Sequence, residues 1–181
     1  MKLYHLPLLT GGISYKLDTM TGALLYYNVK KNPQICRLPA KLLKAVSLCD
    51  NPYKLGHFGR SSEQKVNWLV IIAARIIVPI VKFSFWISYK IISGWIPLYD
   101  DAKQAIEAFY RIYPVDRQDS LCLPRALFAA AMSKKFRKNG VVFIGVFLPS
   151  KSMHAWIIED GIQPDVNDNI WINFKPVAAI C

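Results

Sequence analysis

Cysteine is scarce in this chain of 181 residues, and the four cysteines that it has stand at positions 36, 49, 122 and 181. No two of them form a C-x-x-C pair, and no pair of histidines lies close to any of them in the sequence. This spacing excludes a zinc finger and a dense disulfide framework. We therefore expect free thiols in a reducing compartment, no metal site and no directly bound cofactor.

Long uncharged apolar runs are missing as well. The longest apolar region, residues 66–99, is interrupted by Arg75, Lys82 and Lys90, whereas a membrane-spanning helix needs about 20 consecutive and largely uncharged residues. Buried core helices are the favoured interpretation, and contact with a membrane surface is the alternative that is not favoured. Pro79 is expected to break or kink this region into two helices.

The start of the sequence does not have the features of a signal peptide. Residues 1–12 hold one lysine and an apolar stretch that His5 and Pro7 interrupt. Such a stretch is too short and too broken for the hydrophobic part of a signal peptide. The expected location of the protein is therefore the cytoplasm.

Acidic side chains are few, and their shortage falls on one half of the chain. The whole sequence has 23 basic and 12 acidic residues, a net charge of +11. Residues 1–99 hold 13 basic and 3 acidic side chains, net +10, and residues 100–181 hold 10 and 9, net +1. A basic half beside a nearly neutral half indicates an anionic partner such as an acidic peptide, a lipid surface or nucleic acid. The alternative is that the charge only keeps the protein soluble.

Apolar residues, in contrast, are abundant at 53% of the sequence, enough for a buried core, and this excludes a disordered chain. In the first half, residues 13–18 alternate between apolar and polar side chains, and residues 23–29 read as a returning strand, so a β-hairpin is predicted. Residues 40–48 have the spacing of a short helix. A stretch with Pro and Gly follows, and it predicts a domain boundary near residue 62, with domains 1–62 and 63–181.

The second half predicts helices packed on an antiparallel sheet, which is an α+β fold. A polar helix is expected at 100–113. A second helix should begin near residue 122, capped by Ser120 or Asp119, and end at Asn139-Gly140. Strands follow at 141–148 and 153–159. Asp160-Gly161 is predicted to form a two-residue hairpin turn, from which the chain returns through residues 162–175 with Glu159 opposite Ile162.

The residues that point to chemistry in this half are Cys122 and His154. At the N-terminus of a helix, free backbone N–H groups and the helix dipole stabilise a thiolate. His154 lies in a predicted strand that would hold its imidazole rigidly. A nucleophile–base pair needs such placement, with a third group to orient the imidazole. The alternative is that Cys122 fills a core site and that His154 is a structural residue.

The third group depends on the register of the C-terminal hairpin. With a two-residue turn, Asp165 lies on the same face as His154 and within reach as a diagonal neighbour. A loop that is one residue longer reverses the parity and places Asp168 opposite His154 instead. Pro164 cannot donate a hydrogen bond to a ladder, so a local irregularity keeps the choice open. Asp165 is the first choice and Asp168 the alternative.

Three segments in order, CLPRAL, GVVFIGVF and HAWIIEDG, resemble the leader peptidases of lasso-peptide biosynthesis, known as B proteins. The resemblance covers about residues 66–181. It implies a fold similar to that of transglutaminases and papain-like proteases, and a Cys-His-Asp triad that includes Cys122 and His154. The aspartate of the family falls where this chain has Val166, with Asp165 one residue before it and Asp168 two residues after it.

The first half carries a weaker resemblance of its own. The segment YKLDTMTGALLYYN, followed by a short helix, looks like the small winged-helix-like element that binds leader peptides of ribosomally made and modified peptides. In that family the leader adds as an extra strand to the edge of a sheet and rests on a helix. The net charge of +10 agrees with a partly acidic leader.

Together the two resemblances imply a cysteine endopeptidase that binds the leader of a precursor peptide and cleaves it off. They imply that the freed core passes to an asparagine-synthetase-like lasso cyclase, whose need for a nucleotide could bear on turnover. They also imply cleavage after a leader whose penultimate residue is Thr. The competing hypotheses are a transglutaminase-like acyl transferase and a basic membrane-binding or nucleic-acid-binding protein without catalysis. No nucleic-acid partner is expected.

Overall fold

Two antiparallel sheets and the helices packed on them make up the described part of this α+β chain. The computed structural model describes residues 3–6, 8–10, 13–17, 24–28, 40–50, 66–83, 94–114, 121–148, 150, 152–165, 167–168 and 170–181. The strands are β1 Leu3–His5, β2 Leu8–Thr10, β3 Ile13–Leu17, β4 Leu24–Asn28, β5 Gly140–Phe147, β6 Ser152–Glu159 and β7 Lys175–Ile180. The helices are α1 Ala40–Asp50, α2 Trp68–Phe83, α3 Ala102–Ile112, α4 Cys122–Met132 and α5 Phe136–Asn139, with a 3₁₀ turn at Ile170–Asn173.

The larger sheet has the strand order β1-β7-β5-β6. Its central strand β5 has the sequence GVVFIGVF and is buried at every residue except Phe147, because it is covered on both faces. β5 pairs antiparallel with both β6 and β7, and its register with β7 shifts between Ile144 and Gly145. Pro176, which has no N–H to donate, lies at this irregularity opposite Gly145.

Side chains alternate between the two faces of this sheet. Val142 and Ile144 of β5 point towards a core that they share with α2, α3 and α4. Val141 and Phe143 point to the other face, where α1 contributes Leu42 to a second cluster. The site described below therefore lies on a sheet that is packed on both sides.

The first half of the chain joins the sheet of the second half. β1 pairs antiparallel with β7, with Leu3 opposite Ile180. The predicted hairpin at residues 13–29 is confirmed as β3 and β4, and β2 adds to it in the order β2-β3-β4. The predicted helix at 40–48 is confirmed as α1. The boundary near residue 62 lies outside the described residues, and the division into two domains stays a prediction.

The expected break at Pro79 does not occur, because α2 continues through this residue to Phe83. The ring removes a hydrogen bond to the carbonyl of Arg75, four residues earlier. Both residues are exposed, so water can satisfy that carbonyl. The second helix expected after Pro79 falls on residues 84–93, outside the described residues. Among the helices of the described ranges, none is long and apolar enough to cross a membrane.

The helix after residue 122 is shorter than expected and begins without the expected cap. α4 ends at Met132, because the chain around Tyr99 pairs with it there: the N–H of Tyr99 donates to the Met132 carbonyl, and the N–H of Lys134 donates to the Tyr99 carbonyl. Its N-cap is Leu121, which makes no side-chain cap, rather than Ser120 or Asp119. The polar helix at 100–113 and the strands at 141–148 and 153–159 are confirmed, with ends within two residues.

Candidate functional site

Cys122 is the first residue of α4, and the rest of that helix anchors it. Every residue of α4 from Pro124 to Met132 is buried, so the helix axis is fixed by packing. The unpaired N–H groups at the start of a helix, together with its dipole, favour a negative charge on the thiol. The backbone of Ala155 in β6 also lowers the pKa of the thiol. Cys122 therefore lies where a helix start meets an outer strand of the sheet.

His154 lies in β6, directly opposite Gly145 of β5. His154 is only 7% exposed, and its ring packs against Phe174 and Trp156 at centroid distances of 5.1 and 6.3 Å. The Nε2 atom of His154 lies 2.7 Å from Oδ2 of Asp168. Because Nε2 is engaged there, Nδ1 is the ring nitrogen that remains for the Cys122 thiol, which interacts with His154. Ring packing and the carboxylate together fix the imidazole.

The electrostatics of this pair favour a thiolate beside an imidazolium. Burial raises the pKa of the Cys122 thiol, but the hydrogen bond and charge of His154, with smaller contributions from Ala155 and Arg125, bring that pKa below its ordinary value. Burial lowers the pKa of His154, but its hydrogen bonds to Asp168 and Cys122 and their charges raise that pKa to about 9. A thiolate is the form of cysteine that acts as a nucleophile.

The aspartate bonded to His154 is Asp168, the alternative of the sequence analysis, and not Asp165, its first choice. The turn itself is as predicted: Asp160 and Gly161 have positive φ angles, and Glu159 pairs with Ile162.

After that bridge the described chain leaves the sheet instead of returning as a strand. Pro164 cannot donate to a ladder, and the N–H of Asp165 bonds to the Gln163 side chain. The extrapolated strand register therefore does not apply, and an irregular segment delivers Asp168 to His154.

Asp165 lies in the same cluster, one contact further from the imidazole. Its Oδ2 is 2.8 Å from Nε of Arg125, and the hydroxyl of Tyr110 in α3 lies 2.9 Å from both of its oxygens. Burial raises the pKa of the Asp165 carboxyl, although Arg125 and the Tyr110 hydrogen bond act in the opposite direction. Asp165 therefore contacts the site through Arg125.

Arg125 and Tyr110 are the two site residues that sequence reasoning missed. A signal for Arg125 was present, because it is the only charged residue in the apolar helix sequence CLPRALFAAAM. A buried charge requires a partner, and Asp165 and Asp168 are two acidic residues downstream. No comparable signal existed for Tyr110, since its position on an amphipathic helix is ordinary.

The pair opens into a cleft of about 360 Å³. Its walls combine the polar residues Ser152 and Asn167 with the apolar Met153, Ile170 and Phe174. Met153 and Ile170 are 42% and 55% exposed. A cleft of this size and mixed lining can hold a few residues of an extended peptide beside the thiol.

Within the described ranges, no group of three or more His, Cys, Asp or Glu side chains is arranged to hold a metal ion. No family model, no curated protein and no solved structure matches this chain.

Proposed function

We propose that this chain is a cysteine peptidase that removes the leader from a ribosomally made precursor peptide. The observation that carries the proposal is the placement of the Cys122 thiol beside His154, whose Nε2 lies 2.7 Å from Oδ2 of Asp168, at the wall of a cleft open to solvent. Nucleophilic catalysis needs this order of groups, with a base beside the nucleophile and a third residue that orients the base.

In the proposed reaction the Cys122 thiolate attacks the carbonyl carbon of the scissile peptide bond. Backbone N–H groups at the start of α4 stabilise the oxyanion that forms. The His154 imidazolium then gives its proton to the leaving amine as the C–N bond breaks, which leaves a thioester. Finally His154 takes a proton from water, and the resulting hydroxide attacks the thioester. The acid product is released, and the thiolate–imidazolium pair is regenerated.

We also propose a fold for each of the two predicted domains. A cysteine at a helix start, followed by an antiparallel hairpin with the histidine on its second strand, supports a transglutaminase-like or papain-like core for residues 63–181. For residues 1–62, the three-stranded sheet β2-β3-β4 and α1 support a leader-recognition element, and the net charge of +10 of residues 1–99 favours a partly acidic leader.

The proposed setting is the cytoplasm, where the precursor peptide would be made. The freed core peptide would pass to an asparagine-synthetase-like cyclase, whose nucleotide requirement could limit turnover in the complete system. These partners rest on the motif resemblance and on the peptide-sized cleft.

Mass spectrometry of the precursor peptide encoded beside this gene tests the proposal. The peptide is incubated with the full-length protein, with Cys122→Ala, and with Cys49→Ala as a matched control whose cysteine lies in the second core cluster. Each reaction is run with and without the cyclase. We expect the wild type and Cys49→Ala to shorten the peptide and Cys122→Ala to bind it without cleavage.

The product mass also separates the competing functions. If a small primary amine is added and appears as an amide on the product, the chain is an acyl transferase with the same triad. An intact peptide in every reaction, despite measured binding, would show that Cys122 is structural. Affinity for DNA or for anionic vesicles that is indifferent to Cys122→Ala would support a binding protein instead.

A further inference from the structure

Arg125 is a buried cation one helical turn after Cys122. Arg125 is 6% exposed, and all of its neighbours in α4 from Pro124 to Met132 are buried as well. Removing a guanidinium from water is costly unless good hydrogen bonds replace the lost hydration. An arginine at this position therefore needs specific acceptors.

Two carboxylates supply these acceptors, and each meets a different nitrogen. Nε of Arg125 is 2.8 Å from Oδ2 of Asp165, and Nη2 is 3.2 Å from Oδ2 of Asp168. The planar guanidinium holds these nitrogens in a fixed geometry. The distance between the two carboxylates is thus set by one rigid group.

The oxygen of Asp168 that Arg125 contacts is the one that contacts the histidine. Oδ2 accepts from Arg125 and also lies 2.7 Å from Nε2 of His154. Arg125 therefore acts on the atom that orients the imidazole, and a shift of the guanidinium would move that oxygen.

Tyr110 and Asp165 support the arginine from the far side. The Tyr110 hydroxyl donates to the Asp165 carboxylate, and the guanidinium carbon of Arg125 lies 5.3 Å from the centre of the Tyr110 ring. A charge so close to an aromatic ring is favoured. Tyr110 thus fixes Arg125 from α3, and Asp165 fixes it from the segment after β6.

We propose that Arg125 is a positioning residue that holds Asp168 against His154, with Asp165 and Tyr110 fixing the guanidinium. This inference rests on the proposed function and deepens it. It assigns Asp165 to the support of Arg125 and not to the imidazole. Lysine cannot fill this role, because one ammonium does not reproduce a planar fork between two carboxylates.

The test combines the cleavage rate with a measurement that needs no peptide. Full-length variants are treated with iodoacetamide over a range of pH, and mass spectrometry follows alkylation of Cys122 alone. The midpoint of that curve reports when the thiolate forms. The charged and titratable groups around the thiol are His154 from β6, Arg125 on its own helix, Asp165 and Asp168 after β6, and Tyr110 from α3.

Three variants at the cluster and one control have distinct expected results. Arg125→Gln should lower the cleavage rate by about 100-fold, as misplacement of a catalytic group does, and move the alkylation midpoint to higher pH. Arg125→Lys should keep the midpoint and still lose most of the rate. Asp165→Asn should lower the rate by about tenfold without raising the midpoint. The control Arg111→Gln, which removes an exposed charge next to Tyr110, should change neither quantity.

Two results would overturn the inference: full activity in Arg125→Lys, which would show that charge alone suffices, or full activity in Asp165→Asn. If Arg125→Gln does not fold, as judged by its circular dichroism, Asp165→Asn and Tyr110→Phe still decide, because each keeps the arginine and removes only its support. Failure of the proposed function is distinguishable from failure of this inference. In that case the wild type would not cleave the peptide, whereas the expected differences between the alkylation curves would still be observed.

Discussion

The carboxylate of Asp168 accepts from Nε2 of His154. An amide at this position can donate a hydrogen bond, whereas the carboxylate only accepts. The amide would then stabilise the imidazole tautomer that has no proton on Nε2. We expect Asp168→Asn to lower kcat by about 10³- to 10⁴-fold, with leader affinity unchanged. Rapid-quench cleavage assays and calorimetric titration of the leader measure the two quantities. A kcat within a few-fold of the wild type would remove Asp168 from the catalytic site.

The pH dependence of cleavage follows from the pair at Cys122 and His154. In the proposed mechanism the active form has a thiolate and an imidazolium. As pH rises, kcat/KM should first increase when the thiol loses its proton, since the pKa of Cys122 is below its ordinary value. It should decrease near pH 9, because the pKa of His154 is raised to about 9 and a neutral imidazole has no proton for the leaving amine.

A pH profile of kcat/KM on the full-length protein checks this expectation. In Asp168→Asn the decrease should begin at lower pH, because the carboxylate that raises the pKa of His154 is gone. A profile that falls with the same midpoint in both proteins would assign the alkaline limb to another group.

Among the residues of the site, the sequence predicted the pair Cys122 and His154, which the fold brings together, and left the aspartate open. Cys122 and His154 could be placed because local sequence pattern predicts the helix start that holds Cys122 and the strand that holds His154. The choice between Asp165 and Asp168 depended on whether a strand register continues past Pro164, which local pattern does not determine. Arg125 required the three-dimensional packing that brings α4 beside the segment after β6.

Among the strands, the pairing of Gly145 with His154 places a residue without a side chain next to this histidine. A Cβ at Gly145 would lie 2.6 Å from two ring atoms of Trp156 and 2.8 Å from the carbonyl oxygen of Lys175. The oxygen belongs to the neighbouring strand and cannot move alone. We expect Gly145→Ala to reduce the free energy of unfolding by about 1–3 kcal/mol, as overpacking does.

Because the displaced Trp156 ring stacks on His154, cleavage should fall in this variant by more than the loss of folded protein explains. Urea unfolding and kcat measured at a temperature where the variant is fully folded separate the two effects. Wild-type stability would show that β5 and β7 can separate to admit the methyl group.

The elements themselves were predicted well where local pattern is strong and poorly where distant segments intervene. Strands β5 and β6 and helix α3 follow from apolar runs and amphipathic spacing. The end of α4 does not, because Tyr99 hydrogen-bonds on both sides of Ser133, and the Ser133 hydroxyl donates to Glu159 at 2.5 Å. A contact between residues so far apart in sequence cannot be predicted from the pattern of a short segment.

In the whole molecule, recognition and catalysis are expected on separate domains, but the two halves of the chain contribute strands to the same sheet. β1 covers one side of β7, and Leu42 and Ala45 of α1 pack in the same cluster as Trp156 and Trp171. A fragment of residues 63–181 would expose the edge of β7 and the apolar face that α1 covers, and both are unfavourable in water.

We therefore expect the full chain to unfold in one transition and the fragment 63–181 to be destabilised. Because β7 pairs with β5 at Gly145, the residue opposite His154, the fragment should also lose cleavage of leaderless substrates. Calorimetric scans of both proteins and cleavage assays on a short peptide without a leader measure these effects. A fragment that melts like the full chain and cleaves that peptide at the same rate would show two independent domains. Recognition and catalysis would then be coupled only by the tether between them, whereas in the proposed function a shared sheet would let a leader bound to the first half act on the site through β1 and β7.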